Sequence, residues 1–300
     1  MQTALKGCKF KLTHVDVACC SVETTPSKLA ATQVIPKGNT VGGVTSLGDD
    51  VFVVRQNSQQ IEVYDAVTFT LQRCLAVPQL GSLSWGLAVC ASNKCLYASD
   101  WDKNSVHRVE LASCNAAMKW SVARQPAGLT VNRDQNLLVV SHGENMLQEF
   151  TTRGTLLQNI QLKSGTGSPW HAVDLANGHF VVSCRGQKHT VRIVDVNKRA
   201  VIRSYGGEKG SQMMEMNNPA GLAVDKHENI LVADDWNHRL LVLDSSLTSA
   251  HEMPVSVEGG LKGPASLWYD RSRRRLYVGE SQGGRVIVID HLKVFKTSRV

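Results

Sequence analysis

The stretch Asn218-Pro219-Ala220-Gly221-Leu222-Ala223-Val224-Asp225, followed by Asn229-Ile230-Leu231-Val232-Ala233-Asp234 and then Asn237-His238-Arg239, is the clearest copy of a unit that recurs along the chain. Its Pro/Gly opening is echoed around Gly43, Gly86, Gly128, His171 and Ser266, so successive openings fall 42 to 50 residues apart. A period in that range marks a propeller or a solenoid. Within each unit the apolar residues come in short runs rich in Val, Ile, Leu and Tyr, such as Gly221 to Val224, Ile230 to Ala233 and Leu240 to Leu243, broken by Asn, Asp, Gly and Ser. Runs of that length read as strands, and no stretch sustains the 3.6-residue period of a helical repeat. Four strands per unit and six units predict an all-β chain, a six-bladed β-propeller with four antiparallel strands per blade.

The phase of the repeat also predicts how the ring closes. The run before each opening is the outer strand of the previous blade: Leu71 to Val77, Met118 to Ala123, Leu156 to Leu162 and Val201 to Tyr205. By the same phase Leu29 to Ile35 is an outer strand with no blade before it, whereas blade six ends near Asp290 after three strands. The N-terminal strand is therefore expected to pair with Val286 to Ile289 and complete the sixth blade, leaving no open sheet edge. This divides the chain into a lead-in (1–27), with Phe10 to Val17 as an added strand, a propeller (28–291) and a C-terminal tail (292–300).

The motif resembles the NHL repeat, whose consensus runs Pro-x-Gly-Ile-Ala-Val-Asp, Gly-Asn-Ile-Tyr-Val-Ala-Asp, Asn-His-Arg-Ile. Blade five follows it almost residue for residue. Blade two keeps Gly86-Leu87-Ala88-Val89, Leu96-Tyr97-Ala98-Ser99-Asp100 and His107-Arg108; blade three keeps Gln125-Pro126-Ala127-Gly128-Leu129-Thr130-Val131 but has Ser141-His142 where an Asp is expected. Blades four and six replace the glycine with His171 and Ser266. The resemblance covers roughly residues 28 to 290 and is specific for the fold, while propellers host binding and catalysis alike. It is similar in particular to the C-terminal propellers of TRIM-NHL ubiquitin ligases, which select a protein or RNA. That similarity implies an interaction module serving protein ubiquitination and proteasomal degradation. The chain has none of the Cys/His pairs of a RING or B-box and no heptad run, so no ubiquitin transfer by the chain itself is expected.

Composition sets the outer limits. The chain has 300 residues, 42% of them hydrophobic and 20% charged, which suits one large closed β domain. No run approaches the roughly 18 apolar residues of a membrane span, and Lys6, Lys9, Lys11, His14 and Asp16 break any secretory leader. Eight cysteines are scattered, with Cys19-Cys20 adjacent and Cys90 and Cys95 flanking a predicted hairpin turn; none has zinc-ligand spacing, and no Asn-x-Ser/Thr acceptor occurs. The expectation is reduced thiols, a cytoplasmic location, a monomer and no membrane contact.

With 33 Lys and Arg against 26 Asp and Glu, the net charge is +7 and the pI about 9.0. Such an excess makes RNA a natural partner, but the loops between second and third strands mix Arg55, Lys103, Arg185, Lys188, Arg239 and Arg285 with Asp100, Asp102, Glu144, Asp234, Asp235 and Glu280. Trp85, Trp101, Trp170 and Trp236 fall on the same predicted rim, with His107, His142, His171, His189 and His238, and Trp is favoured at binding hot spots. Trp120 and Trp268 read as packing residues, and Asp225, Asp234 and Arg239 as structural positions of the repeat. The run Arg271-Ser272-Arg273-Arg274-Arg275 reads as a hairpin on the opposite rim, with its arginines paired to acidic neighbours.

These readings combine into a non-catalytic module that holds a protein partner, with RNA as the alternative, on the rim bearing Arg55, Trp101, Lys103, Arg185, Lys188, Trp236, His238 and Arg239. The sequence Cys184-Arg185-Gly186-Gln187-Lys188-His189 has no acidic residue, which makes Arg185 and Lys188 the expected contacts if RNA binds. A lactonase-like hydrolase or lyase is the remaining alternative. It would need metal ligands on the inner strands, and His171 alone among the openings offers one. No catalytic residue, cofactor or metal is expected.

Overall fold

Whether a strand is buried on one face or on both decides its place in a blade. Second strands such as Asp50–Arg55, Cys95–Asp100 and Leu137–Ser141 are apolar on both faces and almost wholly buried, whereas the outer strands Leu71–Ala76 and Leu156–Gln161 are mostly exposed. The computed structural model describes residues 29–31, 33–113, 115–162, 167–175, 178–197, 200–290 and 292; the lead-in with Phe10 to Val17 and residues 293–300 lie outside them.

The chain forms six four-stranded antiparallel sheets. Blade one runs Val41–Leu47, Asp50–Arg55, Gln60–Asp65 and Leu71–Ala76, and blade two Leu87–Cys90, Cys95–Asp100, Ser105–Glu110 and Asn115–Ser121. Blade three comprises Pro126–Val131, Leu137–Ser141, Met146–Phe150 and Leu156–Gln161; blade four Ser168–Asp174, His179–Arg185, His189–Asp195 and Ala200–Gly207. Blade five is Pro219–Val224, Ile230–Asp234, Arg239–Leu243 and Ala250–Met253, and blade six Pro264–Asp270, Arg275–Glu280, Val286–Ile289 and the N-terminal Gln33–Ile35. Cys90 and Cys95 face each other across the first hairpin of blade two as separate thiols, Cys95 meeting the Tyr97 hydroxyl and Cys90 the Ser92 hydroxyl.

The ring closes as the repeat phase predicts, over a shorter segment. Gln33, Val34 and Ile35 pair with Val288, Ile287 and Val286, and Ile35 is fully buried. Leu29–Ala30 leaves that sheet and pairs in parallel with Val255–Ser256, in the connection between blades five and six. Arg55 then secures the joint. Its Nε donates to Glu62 at 2.7 Å, Nη1 to the carbonyls of Gly284 at 2.7 Å and Asn39 at 3.0 Å, and Nη2 to that of Pro36 at 3.2 Å.

The strand registers make Arg55, Asp100, Ser141, Cys184, Asp234 and Glu280 equivalent, each lying in its second strand beside the start of the inner one, with Arg185 one residue beyond. In three blades this residue is a buried carboxylate that accepts an amide of the loop entering the blade: Gly81 N–H on Asp100 at 3.0 Å, Asn217 N–H on Asp234 at 2.7 Å and Lys262 N–H on Glu280 at 2.9 Å. A cation of the third strand completes two of the pairs, since Arg239 and Arg285 bond their carboxylates and also carbonyls of the same entering loops. In blade two His107 takes that place, with Nε2 at 3.1 Å from Asp100. The structural reading of Asp234 and Arg239 follows from this arrangement. Asp225 acts likewise at the other rim, where it accepts the amides of His227 and Asn229.

The inner strands surround a central cavity of about 490 Å³, which extends from Trp85 and Trp170 at the second-to-third-turn rim to Gly48, Ala91, Arg133 and Arg271 at the opposite rim. The openings are glycine because neighbouring blades crowd them: a Cβ on Gly86 would stand 2.4 Å from the carbonyl oxygen of Ala127, and one on Gly128 2.2 Å from Cδ2 of His171. His171 fills the space its own blade gives up. Its Nδ1 accepts the Leu222 amide at 3.1 Å, which places the proton on Nε2, 3.4 Å from both the Leu129 carbonyl and the Thr130 hydroxyl. One neutral imidazole thereby spans blades three, four and five, and burial pushes its pKa down to about 4.

Two outcomes follow from these contacts. Removing residues 1–36 strips the closing strand from Val286–Ile289 and exposes sheet edges; circular dichroism melting and size-exclusion chromatography should show loss of the cooperative transition and self-association, and an unchanged melt would contradict the closure. For His171, the unfolded imidazole titrates near 6.5 and the folded one near 4, so its contribution is fully present above pH 6.5 and is lost as pH falls toward 4. Urea unfolding at about pH 7 and about pH 4.5 should show the parent losing about 2.5 kcal/mol more than His171→Gln on acidification. Equal losses would show that His171 is not held neutral.

Candidate functional site

Turns between second and third strands, with the loops that enter each blade, form one rim. The structure sorts the eight residues expected there into three groups. Arg55 and Arg239 are bonded internally: Arg55 is 5% exposed and closes the ring, and Arg239 bonds Asp234 and the carbonyls of Ser211 and Glu215. Lys103, Lys188, Trp236 and His238 are at the surface. Trp101 and Arg185 lie at the centre of the rim.

Several of the exposed groups are engaged locally. Lys103 donates to the Gln79 carbonyl at 2.6 Å, and His238 Nδ1 accepts the Gly263 amide at 2.9 Å. Lys188 has no acidic neighbour in sequence, yet His189 pairs with Gly207 across the outer hairpin of blade four, and this register puts Glu208 2.5 Å from the Lys188 ammonium. The expected acid-free basic pair therefore does not form. His189 likewise turns inward and accepts the Asn218 amide at 2.9 Å.

At the centre the structure assembles residues that lie far apart in sequence. Trp85 and Trp170 meet edge to face at 5.2 Å, Trp101 stands 5.7 Å from Trp170, and His142 lies 5.3 Å from Trp101 and 5.7 Å from Trp170. Trp85 and Trp170 also line the cavity, so the cluster stops the channel at this rim. The Arg185 guanidinium carbon sits 3.1 Å from the Trp170 ring centre, a close cation–π contact. Arg185 makes no hydrogen bond or ion pair with the described residues, and its Nε is buried without a partner. Burial lowers its pKa to about 9, opposed by the charge of Asp235, so the group stays cationic at neutral pH. Asp235 is itself held between blades, by the Asn218 amide group at 3.0 Å and the Ser281 hydroxyl at 2.9 Å. His142 donates from Nδ1 to the Pro169 carbonyl at 3.0 Å, and burial with the nearby Arg185 charge keeps its pKa below the usual imidazole range.

Met213 and Met214, on the loop from blade four to blade five, did not emerge as candidates from the repeat pattern. They are 62% and 59% exposed and share a rim with Trp236, which is 52% exposed. The loop is anchored beside Trp236 by the Asn237 side chain, which donates to the Gly210 carbonyl at 2.7 Å, while Lys209 approaches the Trp236 ring at 5.2 Å. The available signal was the long interval between His171 and Gly221, which houses this loop.

Elsewhere the remaining aromatic and basic residues are structural. Trp120 packs on Tyr97 and Phe150, and the Trp268 indole donates to Ser46 at 2.9 Å. On the opposite rim Arg271 approaches Glu228, Arg273 pairs with Asp49, and Arg275 bonds Asp290 and the Ala66 carbonyl. Among the described residues no group of three or more His, Cys, Asp or Glu side chains is placed to hold a metal ion, and no helix is long and apolar enough to cross a membrane.

Comparison with known proteins agrees with this architecture. Residues 216–243 match the NHL repeat. No curated protein matches the sequence. Among solved structures, Kuenenia stuttgartiensis hydrazine synthase aligns with a TM-score of 0.62 at 15% identity, over 86% of this chain and 97% of that one. A Bacteroides thetaiotaomicron protein of unknown function aligns at 0.66 with 14% identity, over 85% and 70%. Virginiamycin B lyase from Staphylococcus aureus, in a catalytically inactive histidine-to-alanine form with quinupristin, aligns at 0.62 with 12% identity, over 86% and 82%. At such identities the likeness is one of fold: the chain is a six-bladed β-propeller carrying an NHL repeat.

Proposed function

We propose that the chain is a non-catalytic interaction module that engages a protein partner on the rim of the second-to-third turns, as the substrate-recognition part of a TRIM-NHL-type ubiquitin ligase system in the cytoplasm. The observation that carries this reading is the exposed apolar group of Met213, Met214 and Trp236 on that rim. Other exposed large apolar side chains, such as Leu71, Met118, Leu156 and Ile202, are spread over the outer strands of different blades. Grouped exposed apolar residues mark interaction surfaces, and Trp and Met suit them because one is large and rigid and the other adapts its shape.

Charge favours protein over RNA. Basic groups on this rim alternate with partners of opposite sign, as in Lys188 with Glu208, Arg239 with Asp234 and Arg285 with Glu280. A phosphate track needs a row of unpaired cations. Against catalysis, His171 on an inner strand has its Nδ1 lone pair taken by the Leu222 amide, and burial pushes the thiol of Cys184, on a second strand, up to about 11, away from the reactive thiolate.

Affinity capture with the immobilised chain, sequencing both the proteins and the RNA recovered, tests the reading. Proteins that persist after nuclease treatment should be lost from a Met213→Ser, Met214→Ser, Trp236→Ala variant whose melting temperature matches the parent, with an affinity loss of about 2–4 kcal/mol. Recovery of RNA alone, or proteins held equally by the variant, would refute it.

A further inference from the structure

The position occupied by Arg185 is the key observation. In blades two, five and six the residue of the second strand that meets the inner-strand opening is a carboxylate bound to the loop that enters the blade, and in blade one it is Arg55, bound to three carbonyls and a glutamate. In blade three Ser141 reaches Gln148, whose Oε1 accepts the Ala123 amide. In blade four that residue is Cys184, and Arg185, one residue further and in line with Trp101, His142 and Asp235, makes no side-chain hydrogen bond to the described residues, although its Nε is buried. A desolvated cation with unused donors is an expense to folding that a ligand of opposite charge relieves.

Its surroundings narrow the ligand. The indole N–H groups of Trp85, Trp101 and Trp170 also make no hydrogen bond to the described residues, and none is sealed from solvent as the Arg185 Nε is. Trp101 and Arg185 keep partial exposure on the rim, so the cluster is reachable from outside. The planar guanidinium, already fixed against Trp170, offers the fork that matches a carboxylate. Charge balance separates a carboxylate from a phosphate: the local cation is one guanidinium, Asp235 is a nearby anion, His142 is neutral, and Lys188 is paired with Glu208. A monoanion sets one negative charge against the guanidinium, whereas a phosphate dianion brings a second one into a desolvated place already beside Asp235.

We propose that Arg185, with the indoles of Trp85, Trp101 and Trp170, forms a receptor for one carboxylate of a protein partner, an acidic side chain or a C-terminus, at the centre of the rim. This rests on the reading of that rim as the partner surface and names the chemical group the partner inserts.

The test is nuclear magnetic resonance of the ¹⁵N-labelled full chain, following arginine Nε–H and indole N–H signals during titration with sodium acetate, neutral acetamide and inorganic phosphate. Acetate should shift one arginine Nε–H signal and the indole signals of the cluster saturably, acetamide should not, and phosphate should bind more weakly than acetate. Arg185→Gln should weaken acetate binding by about tenfold or more, with Arg185→Lys between it and the parent. If Arg185→Gln fails to fold, the parent titration still decides. N-acetyl-glycylglycine and N-acetyl-glutamic acid α-amide then distinguish a chain terminus from an acidic side chain by which binds more tightly. Absence of a saturable shift, an equal response to acetamide, tighter binding of phosphate, or full binding by Arg185→Gln would each overturn the proposal. If Arg185→Gln still captures the Trp236-dependent proteins, the carboxylate contact falls and the rim reading stands. If acetate binds through Arg185 and no protein is captured, the site stands and the rim reading falls.

Discussion

Four of the six blades depend on how the residue of the second strand beside the inner-strand opening is bonded to the loop that enters the blade. That residue sits where the inner strand begins, so its bond fixes both the loop on the rim and the strand that lines the channel. Asp100, Asp234 and Glu280 do this as buried carboxylates accepting amides, with His107, Arg239 and Arg285 as their partners. A buried carboxylate is tolerable because backbone amides and a donor side chain, cationic in Arg239 and Arg285, satisfy its lone pairs together. At the ring joint the polarity reverses: Arg55 donates to carbonyls, and it can reach Pro36 and Gly284 because segments from both ends of the propeller meet there.

A rigid frame of this kind leaves its rims free to carry function. Inner and second strands are buried on both faces by neighbouring blades, while the connecting loops differ from blade to blade. In blade four the position that locks three blades with a carboxylate is Cys184, and the next residue, Arg185, holds an unpaired guanidinium next to a cluster drawn from the inner-strand openings of blades two and four and the turns of blades two and three. A loop that stiffens the fold elsewhere thus becomes a place where the fold retains an unused charge.

Much of the fold was legible in the sequence because repeat spacing and strand alternation are local signals. The Pro/Gly openings located the inner strands, and counting phase located the closing strand, although Leu29–Ala30 pairs with Val255–Ser256 instead of Val286–Ile289. The site was legible only in part, because a charged residue's availability depends on neighbours from other blades. Arg55 looks like a rim cation until Gly284 arrives from the far end of the chain. Lys188 looks acid-free until a strand register brings Glu208 alongside. Met213 and Met214 sit in a loop outside the repeat pattern, where periodicity carries no information. Arg185 stands in a run without acids, and the structure brings the Trp170 ring and the Asp235 charge to it from elsewhere in the chain.

Chemical denaturation of Asp100→Ser, Asp234→Ser and Glu280→Ser beside Arg185→Ser tests this account most directly. All four remove a charged side chain at the rim end of a second strand, and simple charge removal would treat them alike. The expected result is a loss of about 3–5 kcal/mol for each carboxylate, because its partner side chain and loop amide are left unpaired in the interior, and no loss for Arg185. Comparable losses at all four positions would contradict it, since Arg185 would then hold the fold together as strongly as the three carboxylates.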